Sequence, residues 1–560
     1  MLLVCREEFA NELRELIRAF ENAGASEKLD DCRAEIDCVY ENGELTARVE
    51  YYRAYKDEKP SGKTEYNGVN INGGLAEKTE CGNVQKSGEA AETEYEKTTL
   101  ILREAACVGA IEVKRKTKRM LKRIFYDALS KLTGENLPYG SLTGIRPTKL
   151  AYEILENGGG YEYAEREISE KPSYEILKKN QDGGGYKYAE RVLAEYFRVS
   201  EIKARLITEI IKNQAGIYEK NPTLYDVYVN IPFCPSRCSY CTFLTADIKR
   251  AAGLIEPYTE YLLRELDLAF EISGGACNAL YIGGGTPTAV DCKTLEKILK
   301  KAAKFSFREF TVEAGRPDTV TAENLALIKD YGAARISVNP QSFNERTLGI
   351  IGRSHGEKHI YDAFALAERF GFSINADIIA MLPGESVDDF LYTVNRAAAL
   401  GPQNITVHNL ALKRGSGLVS SNFKHGAAAD AGGDNCGGFA GRVGGTARTV
   451  STVQTQAELM TDGAYSLLKD AGYSPYYMYR QKYMSGNLEN CGYAKPGFAC
   501  AYNIDVMEET HCVMAVGAGA ISKRVTSGGK IDRQANIKDV KGYMQCFSEL
   551  YAKKRRFFSD

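Results

Sequence analysis

The chain has 560 residues, too many for one ordinary core, and at 44% hydrophobic and 26% charged it is neither disordered nor fibrous, so two or three globular domains are expected. Its 72 Lys and Arg nearly cancel 74 Asp and Glu. That balance removes any whole-chain argument for nucleic acid or an acidic membrane as partner.

The N-terminal stretch MLLVCREEFANELRELIRAF places Arg6, Glu7 and Glu8 where the apolar core of a signal peptide would lie, and no apolar run approaches spanning length. A cytoplasmic location and no membrane partner are expected. In a reducing compartment the 15 cysteines do not form a disulfide framework, so the question is which of them bind metal.

Residues 1–150 read as an α/β domain: an amphipathic helix from about Glu8 to Asn22, strands RAEIDCV and LTARVEYYRAY around Asn42-Gly43, and a helix ending near Lys131. Within it, residues 60–94 are rich in Gly, Asn, Glu and Lys and read as a flexible insertion. The basic run Lys114 to Arg123 (KRKTKRMLKR) reads first as a solvated helix face and only second as a phosphate-binding one. Residues 151–220 read as a helical connector with an internal duplication, Tyr152-Glu153-Ile154-Leu155 returning as Tyr174-Glu175-Ile176-Leu177. Two copies are too few for a solenoid.

From Tyr225 six short apolar strands alternate with helical patterns: 225–231, 278–284, 309–315, 335–341, 374–382 and 404–412. Such βα units in series predict a parallel sheet with right-handed crossovers, and six are fewer than a closed barrel needs. A partial (β/α)6 barrel over 221–415 is expected, with its site at the C-terminal strand ends. Residues 416–560 read as a C-terminal α/β extension containing a Gly/Ala-rich flexible insertion at 425–452.

Directly after the first strand, IPFCPSRCSYCTF carries Cys234, Cys238 and Cys241. A structural zinc site normally presents a fourth ligand, and none follows at knuckle spacing. Three thiolates on a short loop suit a [4Fe-4S] cluster with one iron open, to which a molecule bearing an amine and a carboxylate can chelate. Cys5, Cys32, Cys38, Cys107, Cys277, Cys292 and Cys546 read as small apolar fillers, and Cys491, Cys500 and Cys512 lack ligand spacing. Gly283-Gly284-Gly285-Thr286 closes the second strand, where absent Cβ atoms allow a close backbone approach. Later strand ends add Glu313, Gln341, Arg353 and Asp377, polar groups suited to a ribose and a carboxylate.

In order and spacing, YVNIPFCPSRCSYC, GGGTPT, VEAGRPD, PQSFN, IGRSH and ADIIAMLPGE resemble the oxygen-independent coproporphyrinogen III oxidase family of radical S-adenosylmethionine (radical SAM) proteins. YGSLTGIRPTKL, HNLALKRGSGL, YSPYYMYRQKYMSGNLENCGYAKPG and VGAGAISKR extend the likeness to the family's HemZ type. The resemblance implies a radical SAM barrel, a [4Fe-4S] cluster on Cys234, Cys238 and Cys241, and SAM contacts from Tyr228, Tyr240, Gly284, Gly285, Thr286, Glu313, Gln341, Arg353, Asp377 and Ala411. It also implies a tetrapyrrole substrate, coproporphyrinogen III, two of whose propionates become vinyl groups by way of a 5'-deoxyadenosyl radical, giving protoporphyrinogen IX in heme biosynthesis. Four substrate carboxylates call for cations, for which Lys413, Arg414, Arg480, Lys482 and Lys495 are the candidates. No flavin or ferredoxin signature is visible, so an external one-electron donor of flavodoxin or ferredoxin type is expected.

Two departures mark the chain. Phe243 stands where the better-known oxidase has a fourth cysteine, and Tyr502 to Met507 replaces the His-Asn and Tyr-Trp element of the family's heme-chaperone branch. Two alternatives therefore stand: a heme-binding or heme-delivery protein without dehydrogenase turnover, and a radical SAM enzyme acting on RNA. Nucleic acid is not the expected partner.

Overall fold

The computed structural model describes residues 2–5, 7–29, 32–41, 44–54, 75–85, 92–105, 110–144, 146–156, 184–243, 246–411, 417–420, 453–481, 484–526 and 529–559. The chain divides into two compact units, Met1–Thr208 and Glu209–Asp560.

The first unit is built on a five-stranded sheet. Its strands are β1 (Leu2–Val4), β2 (Cys32–Glu41), β3 (Glu44–Ala54), β4 (Leu75–Gln85) and β5 (Glu92–Ala105), in the order β1-β2-β3-β5-β4. β1 runs parallel to β2 and the others pair antiparallel. Helices Glu7–Phe20 and Ala110–Thr133 place Leu13, Leu16 and Phe20 with Ile124, Phe125 and Leu129 in one core beside Ile36 and Val49. Helical spacing of these apolar residues buries one stripe of each helix. Cys32 and Cys38 lie in the same core, as small apolar residues do. The span read as a flexible insertion, 60–94, is corrected in part: β4 forms an edge strand against β5, with Leu75 opposite Leu102 and Gln85 opposite Glu92. LAEKTECGNVQ lacks β-branched alternation, so its strand rests on its partner's ladder rather than on its own propensity. Helices Pro147–Glu156 and Gly184–Arg191 carry the flanks of the duplicated stretch, and Tyr174 to Leu177 lies outside the described residues.

The second unit contains the six predicted strands: β6 (Tyr225–Ile231), β9 (Ala276–Gly284), β10 (Ser306–Gly315), β11 (Arg335–Val338), β12 (Ser373–Ala380) and β13 (Asn404–Asn409). All five neighbouring pairs among them are parallel. This is a partial (β/α)6 barrel. Its helices start where side chains satisfy the first free N–H groups: Asp291 accepts from Thr294, and Thr321 with Asn324 and Ser386 with Asp389 form capping boxes. Val227, Val229, Ile282, Val312, Ile336, Ile378 and Val407 are buried, as strands covered on both faces require.

The sheet does not stop at six. β14 (Ser474–Arg480) and β15 (Glu489–Ala494) extend it antiparallel beyond β13. On the other side β16 (Cys512–Val516) pairs parallel with β6, followed by antiparallel β17 (Ile521–Val525) and β18 (Ile531–Ala535). Among the described residues eleven strands thus share one sheet, and the C-terminal extension, 416–560, supplies both flanks of the barrel sheet. An open parallel sheet leaves two unpaired edges, and these strands cover them. Residues 425–452 lie outside the described residues.

Candidate functional site

The chain leaves β6 through Pro232 into the cysteine loop. Short strands β7 (Phe233–Cys234) and β8 (Ala246–Asp247) pair across it, and a turn joins Cys241 N–H to Cys238 C=O at 3.1 Å. Backbone N–H groups of Gly285 and Thr286 donate to Ile231 and Phe233 carbonyls, both at 2.8 Å. A Cβ on Gly284 would lie 2.0 Å from Asn230 Oδ1, and one on Gly285 2.5 Å from the Phe233 carbonyl oxygen. The glycines therefore fasten the second strand end against the cysteine loop, a use of close approach that the sequence reading had given to a ligand. A Cβ on Gly283 would meet the Glu313 carboxyl at 2.9 Å, so that glycine makes room for a site residue.

One cavity of about 340 Å³ opens at the C-terminal strand ends. It is lined by Cys234, Cys238 and Cys241 and by nine of the ten positions that the resemblance assigns to SAM: Tyr240, Gly284, Gly285, Thr286, Glu313, Gln341, Arg353, Asp377 and Ala411. The tenth, Tyr228, stands behind the wall. Its ring lies 6.1 Å from that of Tyr281, whose hydroxyl donates to Glu313 at 2.7 Å.

Residues that the sequence reading passed over hold this cavity together. Arg316, 3% exposed, pairs with Asp318 through Nε (3.0 Å) and Nη2 (2.9 Å), and donates to Ser236 Oγ at 2.8 Å and Ser354 Oγ at 2.9 Å. One guanidinium thus ties the cysteine loop to the residue after Arg353. It was visible in the VEAGRPD motif. His408, one of only five histidines, lies 3.7 Å from Asp377 Oδ2. Burial works to raise the Asp377 carboxyl, but hydrogen bonds from His408, Asn375 and Thr406 outweigh it and hold its pKa below the usual carboxylate value. Burial pushes Glu313 the other way, to about 7, despite the Tyr281 hydrogen bond.

The donor set fits the two cofactors. Among the described residues, only Asp226, Asp505 and His511 bring three ligand atoms within 4.8 Å of one another. The three cysteine sulfurs are spread more widely than a single ion would hold them, as a cluster taking one thiolate per iron requires. Five buried polar atoms on the cavity wall have no hydrogen-bond partner: Arg353 Nε and Nη1, Gln341 Oε1, Asn339 Oδ1 and Asn409 Oδ1. Buried polar atoms are ordinarily paired, so this concentration marks where a polar ligand completes the wall. Arg353 donates only to the Tyr240 hydroxyl, at 2.8 Å, and the two free edges of its guanidinium suit a carboxylate. Gln341 sits at φ 69°, a strained conformation fixed by its N–H to Asp377 C=O (2.9 Å) and its C=O from Ile379 N–H (3.0 Å).

The substrate cations fare differently. Lys495 is removed from the site: its amine donates to Gly401 C=O at 2.7 Å, on the N-terminal side of β13, because β15 runs antiparallel and carries its last residues away from the cavity. Arg480 donates through Nε and Nη2 to Asn487 C=O (3.0 and 2.8 Å), and it is not among the residues that line the cavity. Lys413, Arg414 and Lys482 lie outside the described residues. Phe243, 68% exposed, sits on the cavity wall.

The sequence matches the radical SAM superfamily over residues 228–397. It is 32% identical over 465 residues to the oxygen-independent coproporphyrinogen-III oxidase-like protein HemZ of Bacillus subtilis, spanning 80% of this chain and 82% of that protein. The heme chaperone HemW of Escherichia coli is 27% identical over 326 residues, 57% of this chain and 75% of that protein. Among solved structures, the radical SAM coproporphyrinogen III oxidase HemN from Escherichia coli aligns with a TM-score of 0.45 and 22% identity, over 62% of this chain and 73% of that one. No helix among the described residues is long and apolar enough to cross a membrane.

Proposed function

Because the chain belongs to the radical SAM family of oxygen-independent coproporphyrinogen III oxidase-like proteins, we propose that it oxidatively decarboxylates coproporphyrinogen III to protoporphyrinogen IX. The carrying observation is the cavity lined both by the three cysteines and by nine of the positions that the resemblance assigns to SAM. When bound, the reduced cluster and SAM supply a 5'-deoxyadenosyl radical, the kind of reagent an unactivated C–H bond demands. The chain's own share is to bind, orient and exclude water. Cys234, Cys238 and Cys241 would hold the cluster. Arg353, with Nε and Nη1 unpartnered, would take the SAM carboxylate, and Glu313 and Asp377 would serve its cationic and ribose parts. Arg316 keeps the cysteine loop in register with Arg353, and Tyr281 fixes the Glu313 carboxyl. The reducing electron comes from a separate flavodoxin or ferredoxin type donor.

The test is anaerobic reconstitution with reductant, SAM and coproporphyrinogen III, following 5'-deoxyadenosine and protoporphyrinogen by chromatography. Both products, abolished by Cys238→Ala, are expected. Deoxyadenosine without protoporphyrinogen, together with stoichiometric heme binding, would move the chain to the heme-handling reading that its likeness to HemW supports.

A further inference from the structure

We propose that the first unit carries a cleft for the phosphate groups of a nucleotide-sized polyanion, walled by Arg115, Arg119, Lys122, Arg146 and Lys149. These five cations line one cavity of about 290 Å³ together with a single carboxylate, Glu153. Arg115, Arg119 and Lys122 recur at helical spacing and project from one face of helix Ala110–Thr133. Arg146 and Lys149 come from the start of helix Pro147–Glu156, whose first turn lines the same cavity and adds the positive end of its dipole. Glu153 pairs with Arg119 and lies 3.8 Å from Arg115. Five cations and one carboxylate lining a concave space make it electropositive, which favours an anion there.

Lys122 shows the crowding. Burial, then the neighbouring Arg119 cation, lowers its pKa to about 8, against the raising influence of Glu12 and Glu15 from helix Glu7–Phe20; Lys118 on its own helix adds to the lowering. Its amine donates to Thr143 Oγ1 at 3.3 Å, beside Ser141, Leu142 and Gly144 of the other wall. Pro147, Leu142, Leu150 and Phe197 give the cleft an apolar lining beside the cations. Its volume of about 290 Å³ is at the lower end of small-ligand sites. A few phosphates with an attached apolar or aromatic group match that shape. The inference is independent of the radical chemistry, since every lining residue belongs to the first unit.

Calorimetry on the full-length protein, with the SAM site saturated and about 100 mM salt to suppress loose surface attraction, tests it with inorganic pyrophosphate, with ATP and, in parallel, with a single-stranded RNA of about twelve nucleotides. Binding of pyrophosphate or ATP is expected, weakened at least about tenfold in the double variant Arg115→Gln, Lys149→Gln. Both side chains are exposed, so the fold tolerates their replacement. Lys122→Met is the second variant, expected to weaken binding in the same direction. A wild-type protein that binds neither phosphate compound, variants that bind them undiminished, or binding of RNA alone would each overturn the proposal.

Discussion

The two ends of the barrel sheet treat buried charge in opposite ways. At the N-terminal end each charge meets its opposite: His511 Nδ1 lies 3.3 Å from Asp505 and 3.7 Å from Asp226, and Arg335 faces Glu309 at 3.4 Å while donating to Phe498 C=O at 3.0 Å. At the C-terminal end Arg353, with its Nε and Nη1 atoms buried, has no carboxylate in ion-pair reach among the described residues, and three further polar atoms on the cavity wall have acceptor capacity to spare. Burying an unpaired charge is costly, so a fold keeps one where something outside the chain completes it. Asp226 Oδ2, Arg335 Nε and both His511 ring nitrogens also lack a hydrogen-bond partner, so what separates the two ends is the ion pairing: the N-terminal charges face opposite charges and Arg353 does not.

The comparison breaks most sharply if Cys238→Ala leaves cluster chemistry standing. Cys238 is buried in the loop whose backbone Gly285 and Thr286 hold, so its replacement should drop iron content and deoxyadenosine formation to background while the thermal midpoint of the metal-free protein barely moves. The next effect belongs to the other end. His511→Ala leaves Asp226 and Asp505 buried without a cation, for which about 3–5 kcal/mol of lost stability is expected in urea unfolding. Burial works against the His511 cation, but the two carboxylates outweigh it and raise its pKa to about 10. Its folded value thus lies above the unfolded one. The stabilisation is complete below about pH 6.5 and fades as the pH climbs toward about 10.

Arg353→Gln should show the reverse pattern, and here the two ends separate most clearly. It removes a partly buried cation with two unpartnered buried nitrogens, so the metal-free protein should be as stable as wild type or slightly more so. SAM affinity should meanwhile fall by about 2–4 kcal/mol, near the loss for truncating one partner of a buried charge pair. Unfolding and SAM binding measured on the same preparations decide it. A variant that loses stability without losing affinity would make Arg353 a structural residue like Arg335.

How far the sequence reaches follows the same division. Strands buried on both faces are written as apolar runs, which is why all six βα strands were legible from Tyr225 to Asn409. Cys234, Cys238 and Cys241 were legible because three ligands sit on one short loop. Arg316 stands in the VEAGRPD motif, but its tying role was not legible, because its partners Ser236 and Ser354 lie about 80 and 40 positions away and only folding brings them together. The flanking strands were missed for a related reason: β15 and β16 extend the sheet by pairing with β13 and β6 across long gaps, and nothing local announces it. Lys495 shows the converse error, in which a cation near the right motif was given to the substrate although β15 carries it to the far end.

The smallest expected effect concerns Glu313. Burial raises its carboxyl to about 7, so in the ligand-free protein a large share is neutral near pH 7, whereas Asp377, held by His408, Asn375 and Thr406, stays ionised. The folded value exceeds the unfolded one of about 4.3, so the folded state binds more protons between them and this carboxyl weakens stability as the pH rises through that window. A cationic ligand beside Glu313 favours its carboxylate and expels the proton. SAM should therefore bind more tightly as the pH rises from about 5 to 7, by up to about tenfold per unit, with proton release visible as a dependence of the calorimetric heat on buffer ionisation enthalpy. Glu313→Gln should flatten that slope while leaving the Tyr281 hydroxyl a partner. If the slope survives the substitution, the titrating group is elsewhere and Glu313 belongs with the paired charges of the opposite end, serving the fold and not the ligand.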